Sequence, residues 1–242
     1  MRVIVCENYE ELSNHAAKIV SSQLIVKPNS ILGLATGSTP VGLYQNLIEM
    51  NKNGEIDFSE VKTFNLDEYY PIKKSNNQSY DYFMKEQLFN HINIDMINVD
   101  IPNGEAEDAK AECERYEKRL DEIGGVDLQI LGIGQNGHIA FNEPDESLIA
   151  VTHLTGLTKN TIEANSRFFA SEDEVPKQAL TMGIGSILKA KKIVILANGA
   201  NKSAAVKELL NDSIKTSNPA TMLKVHPDVT LICDKEAFKD VK

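Results

Sequence analysis

Short apolar runs alternate with helix-period stretches along nearly the whole chain, and this alternation is the strongest constraint on its fold. The apolar runs predict strands at 3–6, 30–35, 61–66, 126–133, 151–157, 191–197 and 228–234. The periodic stretches predict helices at 9–25, 40–51, 79–92, 105–123, 161–169, 176–190 and 201–211. Because strands that alternate with helices favour parallel pairing, the sequence predicts an α/β fold: an open, mostly parallel sheet with helices on both faces.

The length and composition of the chain fit one domain. Its 242 residues are 42% hydrophobic, which is enough for one sizeable core and little for two full domains. No repeat, low-complexity tract or Pro/Gly/Ser-rich linker divides residues 1–242. We therefore expect a single domain, in which the polar stretch around 150–176 forms a mobile cover over a site.

Charge and cysteine content narrow the classes of partner and compartment. A formal net charge of −10 and a pI near 5.0 argue against a nucleic acid or an anionic membrane as partner, since both attract basic proteins. Cys6, Cys113 and Cys233 are scattered and form no C-x-x-C pair, which fits a reducing cytosol better than disulfides or a metal site. No stretch is apolar enough for a signal peptide or a spanning helix, so we expect a cytoplasmic protein.

The segment LQILGIGQNGHIAFNEP, residues 128–144, has glycines at the G-x-G-x-x-G spacing of a dinucleotide-binding turn. That fingerprint needs a helix after its last glycine and an acidic residue about 20 positions later. Here Pro144 ends the segment, and HLTGLTK occupies the later position. We therefore interpret the glycines as a sharp turn that exposes His138 at the edge of the sheet.

His138 and Glu143 lie five positions apart and suit general acid–base chemistry. A carboxylate fixes the tautomer and orientation of an imidazole, and the ring then moves a proton near neutral pH. A single histidine in a glycine turn is also common as a structural residue. Because no metal-spaced partners accompany it, the sequence favours a proton shuttle over a metal ligand.

Asp67 and Glu68 follow the predicted strand at 61–66, and one of them is a candidate general base. Adjacent residues on an extended chain point in opposite directions, so we expect at most one of the two carboxylates to face a cleft. The alternative is that either carboxylate caps the turn that follows. The sequence leaves both alternatives open.

The predicted strand at 30–35 is followed by a loop of hydroxyls and backbone N–H groups: Thr36, Gly37, Ser38 and Thr39. Such a loop before a helix binds anions, although the same residues also serve as an ordinary helix cap. Two cations are candidates for the same anion, Lys202 near a helix start and Arg167 among apolar residues. Each is equally well a surface cation when considered alone.

Phosphate donors, one carboxylate base and one histidine together indicate proton transfer on a sugar phosphate, without a cofactor or metal motif.

Five segments, in this order and spanning most of the chain, closely resemble the glucosamine-6-phosphate deaminase family, within the glucosamine/galactosamine-6-phosphate isomerases. They are LGLATGSTPVGLY, FNLDEYY, LGIGQNGHIAFNEP, ANSRFF and ALTMGIGSIL. The resemblance implies a modified Rossmann-like α/β fold. It also implies conversion of D-glucosamine 6-phosphate and water to D-fructose 6-phosphate and ammonia, in the catabolism of N-acetylglucosamine, with neither metal nor organic cofactor.

The same resemblance implies roles for four catalytic residues. Asp67 would take the C2 proton of the open-chain sugar and return it at C1, and His138 would open the ring with the support of Glu143. Asn136 stands where some relatives have an aspartate in the ring-opening group. Because an amide hydrogen-bonds but carries no charge, His138 should depend more on Glu143.

Phosphate binding and assembly follow from the resemblance in the same way. The substrate phosphate would lie against residues 36–39, Arg167 and Lys202. Hexameric, allosterically activated relatives carry basic residues soon after Asn-Glu-Pro, at the positions where His153 and Thr155 stand here. Those relatives also have a longer C-terminal tail. We therefore expect a monomer that N-acetylglucosamine 6-phosphate does not activate.

Two alternatives come from other functional classes. A 6-phosphogluconolactonase-like hydrolase shares the fold and a Gly-His turn, but is expected to have an arginine where Tyr69 stands and a Ser-Leu-Phe-type sequence after the histidine. A non-catalytic sugar-phosphate sensor is usually joined to a DNA-binding segment, and no basic helix-turn-helix occurs at either end of this sequence. The deaminase is the favoured hypothesis.

Overall fold

The computed structural model describes residues 1–158, 162 and 175–241. Its strands are β1 (Arg2–Cys6), β2 (Ile31–Leu34), β3 (Lys62–Asn65), β4 (Asp67–Tyr70), β5 (Val99–Asp100), β6 (Leu128–Gly132), β7 (His153–Gly156), β8 (Gln178–Thr181), β9 (Ile193–Ala197) and β10 (Val229–Asp234). Its α-helices are α1 (Tyr9–Val26), α2 (Val41–Lys52), α3 (Tyr80–Gln87), α4 (Ala109–Glu122), α5 (Ile184–Leu188), α6 (Ser203–Leu210) and α7 (Lys235–Phe238).

The larger of two sheets has seven strands in the order β1-β10-β9-β6-β2-β3-β5. Every neighbouring pair in it is parallel. One apolar cluster packs α1, α2 and α3 on one face, and a second packs α4, α5 and α6 on the other. The predicted open parallel sheet with helices on both faces is therefore confirmed.

Side-chain caps determine where the two longest of these helices begin. Asn8 accepts a hydrogen bond from the Glu11 N–H at 3.0 Å, and α1 starts next to it as predicted. Asp108 accepts the N–H groups of Lys110 and Ala111, at 2.8 and 3.1 Å. Because Asp108 itself is extended, α4 begins only at Ala109, and the predicted start at 105 is too early.

A small antiparallel sheet, β4-β8-β7, was missed by sequence periodicity. The predicted helix at 176–190 is wrong in its first half, because Gln178–Thr181 forms β8 and only Ile184–Leu188 is helical. The strand β4, Asp67–Tyr70, was not predicted, since the apolar run ends at residue 66. Both segments pair with strands that are distant in sequence. A local sequence pattern does not predict such pairing.

Leu66 connects the two sheets. Its N–H donates to the Leu34 carbonyl of β2 at 3.2 Å, and its carbonyl accepts the Met182 N–H just after β8 at 2.8 Å. Asp67, the next residue, lies opposite Thr181 in the small sheet. The chain thus leaves the parallel sheet at the point where a candidate base was predicted.

The predicted cover around 150–176 is described only in part. Its first part contains β7, which confirms the strand predicted at 151–157. Apart from residue 162, the predicted helix at 161–169, with Arg167, lies outside the described residues. No helix within the described ranges is both long and apolar enough to cross a membrane.

Candidate active site

Four adjacent strands of the large sheet, β9-β6-β2-β3, direct their carboxyl ends to one edge. The segments that follow parallel strands meet at that edge. After β9 comes a 3₁₀ turn ending at Lys202, after β6 the turn with His138, after β2 residues 36–39, and after β3 Asp67. The topology therefore gathers the predicted residues that lie within the described part of the chain.

Glu68 has a structural role that the sequence left open. Its carboxylate accepts the N–H groups of Tyr69 and Tyr80 on one oxygen, at 2.9 and 2.8 Å, and that of Asp81 on the other, at 2.9 Å. Tyr80 and Asp81 form the first turn of α3, whose N–H groups lack helical partners. Glu68 therefore fixes the start of α3 to β4.

Asp67 is left as the candidate base. Its side chain is 6% exposed, and no donor among the described residues bonds its carboxylate. Burial, with a smaller contribution from the charge of Glu68, raises the pKa of Asp67 to about 8. Burial also raises the pKa of Glu68, to about 7, against the lowering effect of its three backbone hydrogen bonds. A buried carboxylate with a raised pKa and a free lone pair is suited to remove a proton from carbon.

The turn that carries His138 requires its glycines. Gly137 has φ +84°, and a Cβ there would lie 2.2 Å from the Asn218 side chain. A Cβ at Gly134 would lie 2.4 Å from the His138 ring. The ring therefore lies against the backbone of Gly134, and the glycine spacing serves the histidine rather than a dinucleotide.

Asn136, His138 and Glu143 form one connected group. The Nδ1 atom of His138 lies 3.3 Å from one oxygen of Glu143. The other oxygen accepts a 2.7 Å hydrogen bond from the side-chain amide of Asn136. The Asn136 side-chain oxygen accepts the backbone N–H of His138 at 3.2 Å. Asn136 thus contacts both the carboxylate and the histidine turn, while the predicted proton transfer by His138 with Glu143 stays a prediction.

The loop at 36–39, the predicted anion site, is exposed at its centre. Gly37 has φ +93°, and Gly37 and Ser38 are exposed. The Tyr9 hydroxyl donates to the carbonyls of Ser38 and Thr39, at 3.0 Å each, which fixes the loop from behind. The start of α2 has no side-chain cap, as expected where a ligand supplies the acceptor.

Lys202 lies beside this loop in the topology. It is half-buried and directly precedes α6, where the sequence placed it. The Thr39 hydroxyl donates to the Asn198 side chain at 2.8 Å, which joins the loops after β2 and β9. Arg167 lies outside the described residues, so its predicted contact with phosphate stays a prediction.

Sequence reasoning missed an aromatic group that joins these parts. The rings of Tyr69 and Tyr80 lie 4.8 Å apart, and the Tyr80 ring stacks parallel to Phe141 at 6.0 Å. These residues belong to β4, α3 and the histidine loop, respectively. In the sequence they appear only as an apolar or aromatic residue near each motif, and ordinary packing in a hydrophobic core accounts for such residues equally well.

Within the described residues, no group of three or more His, Cys, Asp or Glu side chains is placed to hold a metal ion. The expected absence of a metal and of an organic cofactor stays a prediction.

Comparison with known proteins gives close relatives over the full chain. A glucosamine-6-phosphate deaminase of Thermoanaerobacter pseudethanolicus is 60% identical over 237 residues, which is 98% of this chain and 94% of that protein. One of Clostridium beijerinckii is 58% identical over 242 residues, covering 100% of both chains.

Solved structures give the same result. A monomeric glucosamine-6-phosphate deaminase matches with TM-score 0.97 at 45% identity, covering 99% of this chain and 100% of that one. A 6-phosphogluconolactonase from Trypanosoma cruzi matches with TM-score 0.79 at 20% identity, over 100% and 97% of the two chains, which shows a common fold. The family model for glucosamine-6-phosphate isomerases/6-phosphogluconolactonase matches residues 7–232. The chain therefore belongs to this isomerase and lactonase family.

Proposed function

We propose that the chain is a glucosamine-6-phosphate deaminase, which converts D-glucosamine 6-phosphate and water to D-fructose 6-phosphate and ammonia. The proposal is supported by close relatives of that name over the whole length. The observation that carries it is the site itself: a buried Asp67 carboxylate, which no donor among the described residues bonds, and a His138–Glu143 pair lie at the sheet edge that also holds the loop at 36–39.

Ring opening is the first chemical step of the proposed reaction. His138 takes the proton of the anomeric hydroxyl and delivers it to the ring oxygen as the C1–O5 bond breaks. Glu143, 3.3 Å from Nδ1, stabilises the imidazolium that forms between the two transfers. Asn136 keeps Glu143 in place through its 2.7 Å hydrogen bond.

Enolisation follows on the open-chain aldehyde. Asp67 removes the C2 proton, which gives an enolamine, and returns the proton at C1. The product is the C2 imine of fructose 6-phosphate. Water adds to that imine, the C–N bond breaks, and ammonia leaves, so that fructose 6-phosphate remains. Burial of Asp67 makes its carboxylate a stronger base than an exposed aspartate.

The substrate phosphate provides the binding energy that holds the sugar across these groups. Backbone N–H groups at the start of α2, the hydroxyls of Thr36, Ser38 and Thr39, and Lys202 would surround it, together with Arg167. The protein would be a cytoplasmic monomer, as its sequence and the monomeric relative suggest.

The test measures ammonia and fructose 6-phosphate released from glucosamine 6-phosphate in buffer that contains a chelator. We expect equal amounts of both products from the native chain, loss in Asp67→Asn and impairment in His138→Gln. Matched changes at exposed positions, Asp212→Asn and His91→Gln, should keep native activity. Neither product from a folded native chain would contradict the proposal.

Two further assays separate the alternatives. Acid release from 6-phosphogluconolactone by the native chain, without ammonia from glucosamine 6-phosphate, would favour the lactonase. Binding of glucosamine 6-phosphate without turnover of either compound would favour a sensor.

A further inference from the structure

Thr181 lies beside the candidate base. In the small antiparallel sheet, Thr181 at the end of β8 is directly opposite Asp67 at the start of β4. Opposite residues of an antiparallel pair place their side chains on the same face of the sheet. Both residues are buried, and Thr181 is fully so. The hydroxyl of Thr181 is therefore on the face of the sheet that carries the Asp67 carboxylate.

The same hydroxyl holds the histidine loop. It accepts the backbone N–H of Phe141 at 3.1 Å. Phe141 is buried, and it lies between His138 and Glu143 in sequence. Because a buried N–H that loses its acceptor is costly, this bond fixes where the loop docks. The segment between the histidine and its carboxylate partner is thus attached opposite Asp67.

A second bond attaches the loop one residue further along the chain. The side-chain amide of Asn142 donates to the Met182 carbonyl at 2.9 Å and, within the loop, to the Ile139 carbonyl at 3.0 Å. The N–H of Met182 in turn donates to the Leu66 carbonyl at 2.8 Å. Two adjacent loop residues therefore bond to two adjacent residues at the end of β8, and these residues pair with the chain that enters β4.

These contacts connect the two proposed proton carriers. The connection runs from Asp67 across the small sheet to Thr181, and from there through Phe141 to the loop with His138. The proposed reaction uses both carriers on neighbouring atoms, because ring opening occurs at C1 and proton removal at C2. Their relative position must therefore fit one bound sugar, and a misplacement of about 1 Å at a reacting centre costs on the order of 10²-fold in rate.

We propose that Thr181 is a positioning residue whose hydroxyl holds the histidine loop against the strand of Asp67, so that His138 and Asp67 act on one bound sugar. The inference rests on the proposed function. The effect of Thr181 on the reaction is exerted through the position of His138. Loss of the hydroxyl should therefore slow the chemical steps, and should leave substrate binding by the loop at 36–39 nearly unchanged.

The experiment measures kcat and KM for glucosamine 6-phosphate in the native chain, Thr181→Val and Thr181→Ser. Valine has nearly the shape of threonine but lacks the hydroxyl, whereas serine keeps it. We expect Thr181→Val to lower kcat by about tenfold or more, with KM within about threefold of the native value. Thr181→Ser should stay within about threefold of the native kcat, because it keeps the acceptor for the Phe141 N–H.

Thr63→Val is the matched control. It is the same change at a fully buried strand residue, whose hydroxyl has no hydrogen-bond partner among the described residues. It should keep the native kcat and KM. Thermal melting should show each variant folded at the assay temperature. If Thr181→Val is not folded, Asn142→Ala breaks the neighbouring bond to Met182 and should give the same fall in kcat at an unchanged KM.

A double variant tests whether Thr181 acts through His138. Sugar rings open slowly without a catalyst, so His138→Gln should keep a measurable rate. In that background, Thr181→Val should lower kcat by no more than about threefold further, since the position of the histidine no longer contributes. A general weakening of the fold would instead multiply with the loss from His138→Gln.

Three outcomes would overturn the inference. They are native kcat in Thr181→Val, a Thr181→Ser that is as impaired as Thr181→Val, and losses that multiply in the double variant. A folded native chain without deaminase activity would overturn the proposed function and this inference with it. An active native chain with an equally active Thr181→Val would overturn the inference alone.

Discussion

At the scale of single residues, Asp67 and Glu68 show how two adjacent carboxylates acquire different roles. Glu68 accepts three backbone N–H groups and fixes α3, whereas Asp67 is buried with no such donor among the described residues. Both have a raised pKa, because burial disfavours the charged form of each. Hydrogen bonding, more than burial, therefore separates the structural carboxylate from the candidate base.

The pH dependence of kcat/KM should report this pair. A base acts when deprotonated, so activity should rise with pH up to about 8, the raised pKa of Asp67. The charge of Glu68 contributes to that rise in pKa, so Glu68→Gln should move the acid limb to lower pH. Because the substrate's own titration is the same for every variant, a shift of the acid limb between variants reports a group of the enzyme. Glu60→Gln, at an exposed position, should leave the limb in place; an unmoved limb in Glu68→Gln would contradict the assignment.

Asn136 allows a second prediction at this scale. Its amide donates to Glu143 at 2.7 Å, so Asn136→Asp would place two carboxylates within hydrogen-bond distance. One of the two would then have a raised pKa, since like charges this close share a proton. A group with a raised pKa in the folded state stabilises fully at low pH and loses that contribution as pH rises.

We therefore expect the loss of Tm in Asn136→Asp to grow as the pH rises above the ordinary carboxyl range near about 4, reaching several degrees by pH 8 at about 2–4 °C per kcal/mol. Thermal melts across this range check the prediction. Asn136→Leu removes the donor without adding charge, so its loss of Tm should stay constant with pH. If the loss of Tm varied with pH in the same way in Asn136→Asp and Asn136→Leu, the result would contradict a proton shared by the two carboxylates.

At the scale of elements, the histidine turn depends on a contact as well as on a backbone conformation. Gly137 and Gly54 both have positive φ, +84° and +73°. A Cβ at Gly137 would lie 2.2 Å from the Asn218 side chain, whereas a Cβ at Gly54 has no neighbour within 4 Å. We expect Gly54→Ala to cost about 1–2 kcal/mol from backbone strain alone.

Gly137→Ala adds an overlap to the same strain, and we expect it to cost about 1–3 kcal/mol more than Gly54→Ala. It should also lower kcat strongly, because the displaced turn carries His138. Urea unfolding and steady-state kinetics of both variants check this. Equal costs at the two glycines would show that the Asn218 contact does not constrain the turn.

The elements also show what the sequence could and could not predict. The parallel sheet and the residues of the site follow from apolar runs and from short motifs at the strand ends. The strands β4 and β8 do not, because Asp67 and Thr181 pair across more than a hundred residues. The role of Glu68 at α3 likewise depends on three-dimensional approach, so local spacing left it undecided.

At the scale of the whole molecule, the sheet order places the site. Four strands that are far apart in sequence, β9, β6, β2 and β3, are neighbours and end together. The small sheet then returns Thr181 to Asp67 and, through β7, extends the same row to His153. The segment with His153 and Thr155, where the resemblance implies basic residues in activated relatives, therefore adjoins the site through this sheet.

Within the described residues 145–158, this region has no lysine or arginine to hold a second phosphate. Burial lowers the pKa of His153, which disfavours the cationic form of its ring, and its Nδ1 lies 2.9 Å from the Val151 carbonyl. The exposed residues before it include Asp145 and Glu146, which repel an anion. We therefore expect hyperbolic kinetics that N-acetylglucosamine 6-phosphate does not change, and a monomer by sedimentation. A sigmoidal rate curve that this effector makes hyperbolic would contradict the expectation, since it requires a second anion site and cooperating subunits.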